Sequence, residues 1–144
     1  MNVMKIATVP PPAVQKQCTV KEAIPAMTSL HGCAVAVMDG DRMVGILSRD
    51  EVLTRVVSSG LDPEHVTVGE IMDPPAATVS METETGEAIR WMFANRKCYL
   101  GLVDGQGALK GWLAICSLFE DHVADLNREL DSLSAFISAD GPGG

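Results

Sequence analysis

Between Gly45 and Glu51 the chain sets a hydroxyl, a guanidinium and a carboxylate within four residues, as Ser48, Arg49 and Glu51. A nucleoside phosphate asks a protein for these polar types. A carboxylate accepts hydrogen bonds from a ribose diol, a cation or helix N-terminus takes a phosphate, and an apolar slot holds the base. The same residues also have a structural use. Ser48-Arg-Asp-Glu51 is an S-x-x-E capping box, in which the two outer side chains satisfy backbone donors at a helix start. Capping and ligand contact are compatible, whereas Arg49, in a first helical turn, is the type of residue most often left in solvent. Arg96 and Lys97 precede an apolar strand at Cys98 and could reach a phosphate from across the molecule; a solvated turn is their simpler role.

Other chemistry finds little support. Cys18, Cys33, Cys98 and Cys116 form no C-x-x-C pair and have no histidine at ligand spacing, so the thiols are expected to be reduced and mostly buried, with no metal site. His31, His65 and His122 are scattered, and no nucleophile and base stand at a suggestive spacing, so an enzyme is not expected. The chain has 144 residues, 47% hydrophobic and 21% charged, enough to bury a core as one domain or two very small ones. Eleven Lys and Arg against 19 Asp and Glu give a formal charge of -8, which repels nucleic acid and anionic membranes at long range. No run approaches the roughly 18 to 20 apolar residues of a membrane span, and the first residues lack the order of a signal peptide, so the expected location is cytoplasmic.

These residues must be positioned by a repeat. A shift of 65 places Val3, Ile6, Pro10, Val14, Glu22, Ala23, Ile24, Met27, Cys33, Asp39 and Gly40 on Val68, Ile71, Pro75, Val79, Glu87, Ala88, Ile89, Met92, Cys98, Asp104 and Gly105. One inserted residue after the second Asp-Gly then brings Gly45 onto Gly111. In the first half, the Thr19-Val-Lys-Glu22 capping box predicts a helix from about Val20 to Ser29, with Pro25 inside it. Strands are predicted over Cys33–Met38 and Met43–Leu47, joined through Asp39–Arg42, and a second helix runs from Ser48 through Val57. The second half repeats the order with a helix over Glu87–Ala94 and strands over Tyr99–Val103 and Leu109–Ile115. The expected organisation is a first repeat at 3-58, a second at 66-118, a C-terminal helix at 118-138 and a flexible tail at 139-144. Half-domains this small should share a core.

Ile71-Met-Asp-Pro-Pro75, the Glu-Ala-Ile helix starts, the apolar strand ending in Asp39-Gly40 and Gly45-Ile-Leu-Ser-Arg-Asp-Glu51 together resemble a tandem CBS-domain pair, a Bateman module, to about residue 120. The resemblance implies an α+β fold: two pseudo-symmetric β-α-β-β-α repeats packed through their sheets, here followed by an extended C-terminal helix. It also implies a regulatory, non-catalytic role, with clefts for adenosyl ligands such as AMP, ADP, ATP or S-adenosylmethionine and no required cofactor. The family segment reads Gly, apolar, any residue, Thr or Ser, two variable residues, then Asp. Gly45 and Ser48 match, and Glu51 stands in the Asp place with its carboxylate about 1.5 Å further out. Carried onto this chain, the ligand residues are Gly45, Ser48, Arg49 and Glu51, with Arg96 and Lys97 as candidate phosphate contacts.

The second repeat departs from that pattern. Ala114 replaces the hydroxyl and Ser117 the carboxylate, and Ser117-Leu-Phe-Glu120 reads as a displaced capping box, so at most one good adenosyl site per chain is expected. Phe119, Val123, Leu126, Leu130, Leu133 and Ile137 follow at alternating spacings of four and three, a heptad seam. β-Branched residues at two of three a positions and Leu at two d positions favour a parallel two-stranded coil, hence a homodimer. The expected function is a regulatory module that binds an adenosyl ligand and signals through dimer conformation, to a protein partner where one exists. The alternative is a degenerate dimerisation scaffold without a ligand.

Overall fold

The computed structural model describes residues 1–28, 33–74 and 77–139. His31, Pro75, the end of the first predicted helix at Ser29 and all of the tail but Ala139 lie outside them. Two three-stranded sheets carry the chain. β1 (Ala13–Gln15) runs parallel to β2 (Ala34–Asp39), which pairs antiparallel with β3 (Arg42–Ser48). β4 (Thr78–Ser80), β5 (Tyr99–Val103) and β6 (Leu109–Ala114) repeat that order and those directions.

Local chemistry explains the helices. α1 (Val20–Met27) starts at the predicted box, where Glu22 N–H donates to Thr19 Oγ1 at 3.2 Å and Thr19 N–H donates to Glu22 Oε1 at 3.1 Å. α1 contains Pro25 and ends two residues ahead of the predicted Ser29. α2 (Arg49–Glu51) runs on into a π-helical stretch, Val52–Val57. A short α3 (Val68–Ile71), capped by Thr67 and Glu70, leads into the second repeat, whose first long helix is α4 (Thr85–Asn95). α5 spans Ile115–Ala139. It begins three residues ahead of the expected 118, so Ser117 lies within the helix rather than capping a displaced one. Among the described residues no helix is long and apolar enough to cross a membrane.

Strand alternation divides the core. Val35, Val37 and Leu47 face a first cluster with Val20, Ala23, Val56 and Ile71, while Ala34, Ala36, Met38, Met43 and Ile46 face a second with Leu100, Leu102 and Trp112. The second cluster is the expected sheet-to-sheet packing of the repeats. It is tight: a β-carbon on Gly101 would meet the Met43 sulfur at 2.5 Å.

The repeats also exchange their leading segments. Thr8 bridges to Trp112 with backbone bonds of 2.8 and 3.1 Å, and Asp73 bridges to Ile46 with bonds of 2.8 and 3.2 Å. Asp73 lies 65 residues after Thr8, so the two bridges are equivalent, and in each the segment that opens one repeat completes the sheet of the other. This exchange sets the lining of the cleft between them.

Candidate functional site

A cleft of about 340 Å³ opens where the end of β3 and the start of α2 meet the turn between α4 and β5. Ser48, Arg49, Asp50 and Glu51 line it from the first repeat; Arg96, Lys97, Cys98 and Tyr99 line it from the second. Cys33, Ile46 and Asp73 complete it. Five of the six residues singled out for ligand contact therefore share one wall-to-wall space. Gly45 is the exception and does not line it. A β-carbon at Gly45 would lie 2.6 Å from the Met72 sulfur and 3.1 Å from the Asp73 carbonyl oxygen, so the bare glycine lets the Met72–Asp73 segment lie against β3. Its part is to seat a wall of the cleft.

Each polar residue is held by its element. Glu51 Oε2 accepts from Ser48 N–H at 2.8 Å and from the Ser48 hydroxyl, which fixes both side chains at the mouth of α2. Arg96 caps α4 in the left-handed region at φ 52°, unusual for a residue other than glycine, and this turn presents Arg96 and Lys97 to the cleft. Arg96 is exposed, as in the solvated turn expected, whereas Lys97 is half-buried. Lys97 Nζ pairs with Asp73 Oδ2 at 3.2 Å, with side chains 32% and 37% exposed. Arg55, from the π-helical stretch, reaches Asp73 Oδ1 with Nη2 at 3.8 Å, while its Nη1 donates to the carbonyls of Ile71 and Met72 at 3.0 and 2.8 Å. Asp73 thus receives a cation from each repeat. Sequence reasoning quoted Asp73 within the Ile71–Pro75 motif without assigning it a role; the signal was its repeat position, whose partner Thr8 is uncharged.

Tyr99 forms the apolar side, with its ring stacked on Trp112 at a centroid distance of 5.7 Å. Burial foremost, then the charge and hydrogen bond of Cys33 and the nearby Cys116 and Cys98, push its phenol up to about 12. The thiols are not mostly buried as expected. Cys98 and Cys116 are exposed and Cys18 and Cys33 half-buried, all of them free. Cys33 and Cys98 each stand one residue ahead of a strand at the cleft, and Cys116 lies in the first turn of α5, positions that open onto solvent. Among the described residues no group of three or more His, Cys, Asp or Glu could hold a metal ion.

At the positions equivalent to Ser48, Glu51 and Asp73 stand Ala114 and Ser117 of the second repeat and Thr8 of the first repeat's leading segment. Along α5 the seam residues stand open: Phe119 is 42% exposed and Leu130 60%, with Val123, Leu126, Leu133 and Ile137 between those values. Phe93 of α4 extends the stripe, its ring 5.7 Å from that of Phe119.

A family model described as CBS domain matches residues 3–58. The chain is 34% identical over 80 residues, 56% of its length, to an uncharacterized protein of Methanopyrus kandleri, and spans only 41% of that relative. A putative signal-transduction protein with CBS domains from Burkholderia ambifaria is 28% identical, with a TM-score of 0.76 over 87% of this chain and 96% of that one. A CBS domain protein of Pyrobaculum aerophilum, solved in complex with AMP, is 19% identical, with a TM-score of 0.73 over 81% of this chain and 89% of that one.

Proposed function

We propose that this chain, a tandem CBS-domain pair, is a non-catalytic regulatory module that binds one adenosyl ligand in the cleft between its repeats and signals through a homodimer joined along α5. The observation that carries the reading is the convergence of Ser48, Arg49 and Glu51 from one repeat with Arg96 and Lys97 from the other around one space. The volume falls at the lower end of the roughly 300 to 1,000 Å³ of small-molecule sites. Polar groups of the kinds a ribose and a phosphate require line the same space as Tyr99, and the AMP complex of the Pyrobaculum protein supports that ligand class. Because the lining comes from both repeats, an occupant alters the angle between them, and α5 carries that change onward.

The exposed stripe on α5 supports a partner helix, and a second copy supplies one of matching pattern. A competing reading, a dimerisation scaffold without ligand, draws on the engagement of Glu51 by Ser48 and on the losses at Ala114 and Ser117. A thermal-shift panel with AMP, ADP, ATP and S-adenosylmethionine decides between them. A ligand at about 100 times its dissociation constant adds about 2.7 kcal/mol to stability, several degrees for a chain of this size. A selective rise supports the sensor; a flat panel supports the scaffold.

A further inference from the structure

We propose that Asp73 is a specificity-determining residue of the cleft, whose carboxylate confines it to adenosyl ligands of low net charge, AMP or S-adenosylmethionine, and turns polyphosphates away. Granted the adenosyl reading above, on which this rests, Asp73 sets the charge the occupant carries.

Three observations converge. The backbone of Asp73 is fixed, since its N–H donates to the Ile46 carbonyl at 2.8 Å and its carbonyl accepts from Ile46 N–H at 3.2 Å, with Gly45 bare beneath it. The carboxylate, 37% exposed, is held at the wall by its pair with Lys97. Second, Asp73 engages Lys97, one of the three cations lining the cleft, at 3.2 Å and, more loosely at 3.8 Å, Arg55, whose other nitrogen is committed to the Ile71 and Met72 carbonyls and which does not line the cleft. Arg49, Arg96 and Lys97 line the cleft together with Asp50, Glu51 and Asp73, so the lining carries three charges of each sign. Among the described residues Arg49 and Arg96 pair with no carboxylate, and these two cations can meet one phosphate. Each further phosphate brings another negative charge toward Asp73, where a like charge within about 4 to 6 Å is disfavoured and screening in a partly closed cleft is weak. Third, the fold does not require a carboxylate here. Thr8 makes the same pair of backbone bonds with Trp112 in the other repeat.

The test is titration calorimetry of the full chain with S-adenosylmethionine, AMP, ADP and ATP in magnesium-free buffer, repeated on Asp73→Asn. Asp73→Thr, copying Thr8, serves as a second variant if the first does not fold. The native chain is expected to bind AMP or S-adenosylmethionine at least tenfold more tightly than ATP, with affinity falling at each added phosphate. The variant is expected to narrow that ratio at least fivefold, through tighter ATP binding. Equal affinity for AMP and ATP in the native chain, or a ratio unchanged within twofold in the variant, overturns the role of Asp73 and leaves the adenosyl site standing. Heat from none of the four ligands on either protein overturns the adenosyl reading, and this role with it.

Discussion

Gly45 and Met72 approach so closely that a single added carbon on the glycine would lie 2.6 Å from the sulfur. The sulfur is a flexible tip and can yield, but the Asp73 carbonyl oxygen at 3.1 Å belongs to a backbone held by Ile46. Gly45→Ala is expected to cost about 1 to 3 kcal/mol, the range for overpacking, read as a lower urea midpoint at unchanged slope. It should also loosen ligand binding by shifting the Asp73 wall. An unchanged midpoint would mean that the segment slides aside at no cost.

Glu51 joins the cap of α2 to the cleft. Glu51→Ala removes the acceptor of Ser48 N–H and is expected to destabilise by about 0.5 to 2 kcal/mol, the usual range for a lost cap. It is also expected to abolish adenosyl binding in calorimetry. Loss of stability with intact affinity would confine Glu51 to the cap and move the ribose contact elsewhere.

Tyr99 is the chain's one tyrosine, so phenolate absorbance reports it alone. In the native protein its titration is expected near pH 12, two units above that of the urea-unfolded chain near 10. Between those values the native state keeps a proton that the unfolded state releases. The stabilisation from this group is therefore complete below about pH 10 and is lost as pH rises through 12. Coincident native and unfolded titrations would show that the ring is not held in the cleft wall.

Leu126 sits at the middle of the α5 seam, half exposed in the single chain. Leu126→Asp is expected to give a monomer, or a dimer that dissociates at lower dilution, in light scattering. An unchanged mass would place the dimer contact elsewhere or leave none.

The repeat was legible because it is written in side chains: apolar alternation fixes which face of β2 is buried, and the boxes at Thr19 and Ser48 fix where helices begin. The cleft was legible for the same reason, since Ser48, Arg49 and Glu51 are neighbours in sequence. What escaped is written in backbone. The bridges at Thr8 and Asp73 consist of N–H and carbonyl groups that any residue supplies, so no composition marks the exchange of leading segments. Gly45 was legible as important, but its reason was not. It takes the approach of Met72, 27 positions later, to show that the glycine lets two segments meet. The Ser117 box misled because its S-x-x-E pattern falls inside a helix already begun at Ile115, following directly from β6.

α5 leaves the second repeat anchored at Leu118, which is 1% exposed, and from Phe119 to Ile137 its large apolar side chains stand in solvent. At about 1.5 Å per residue, its 25 residues extend about 37 Å. The helix is thus a lever with its fulcrum beside β6. A turn of the second repeat by about 5°, small at the cleft, becomes about 3 Å at the far end of a helix of that length, comparable to two residues of helical rise. A second lever laid along the first would convert a change in repeat angle too slight to alter either core into a change of register or separation between chains.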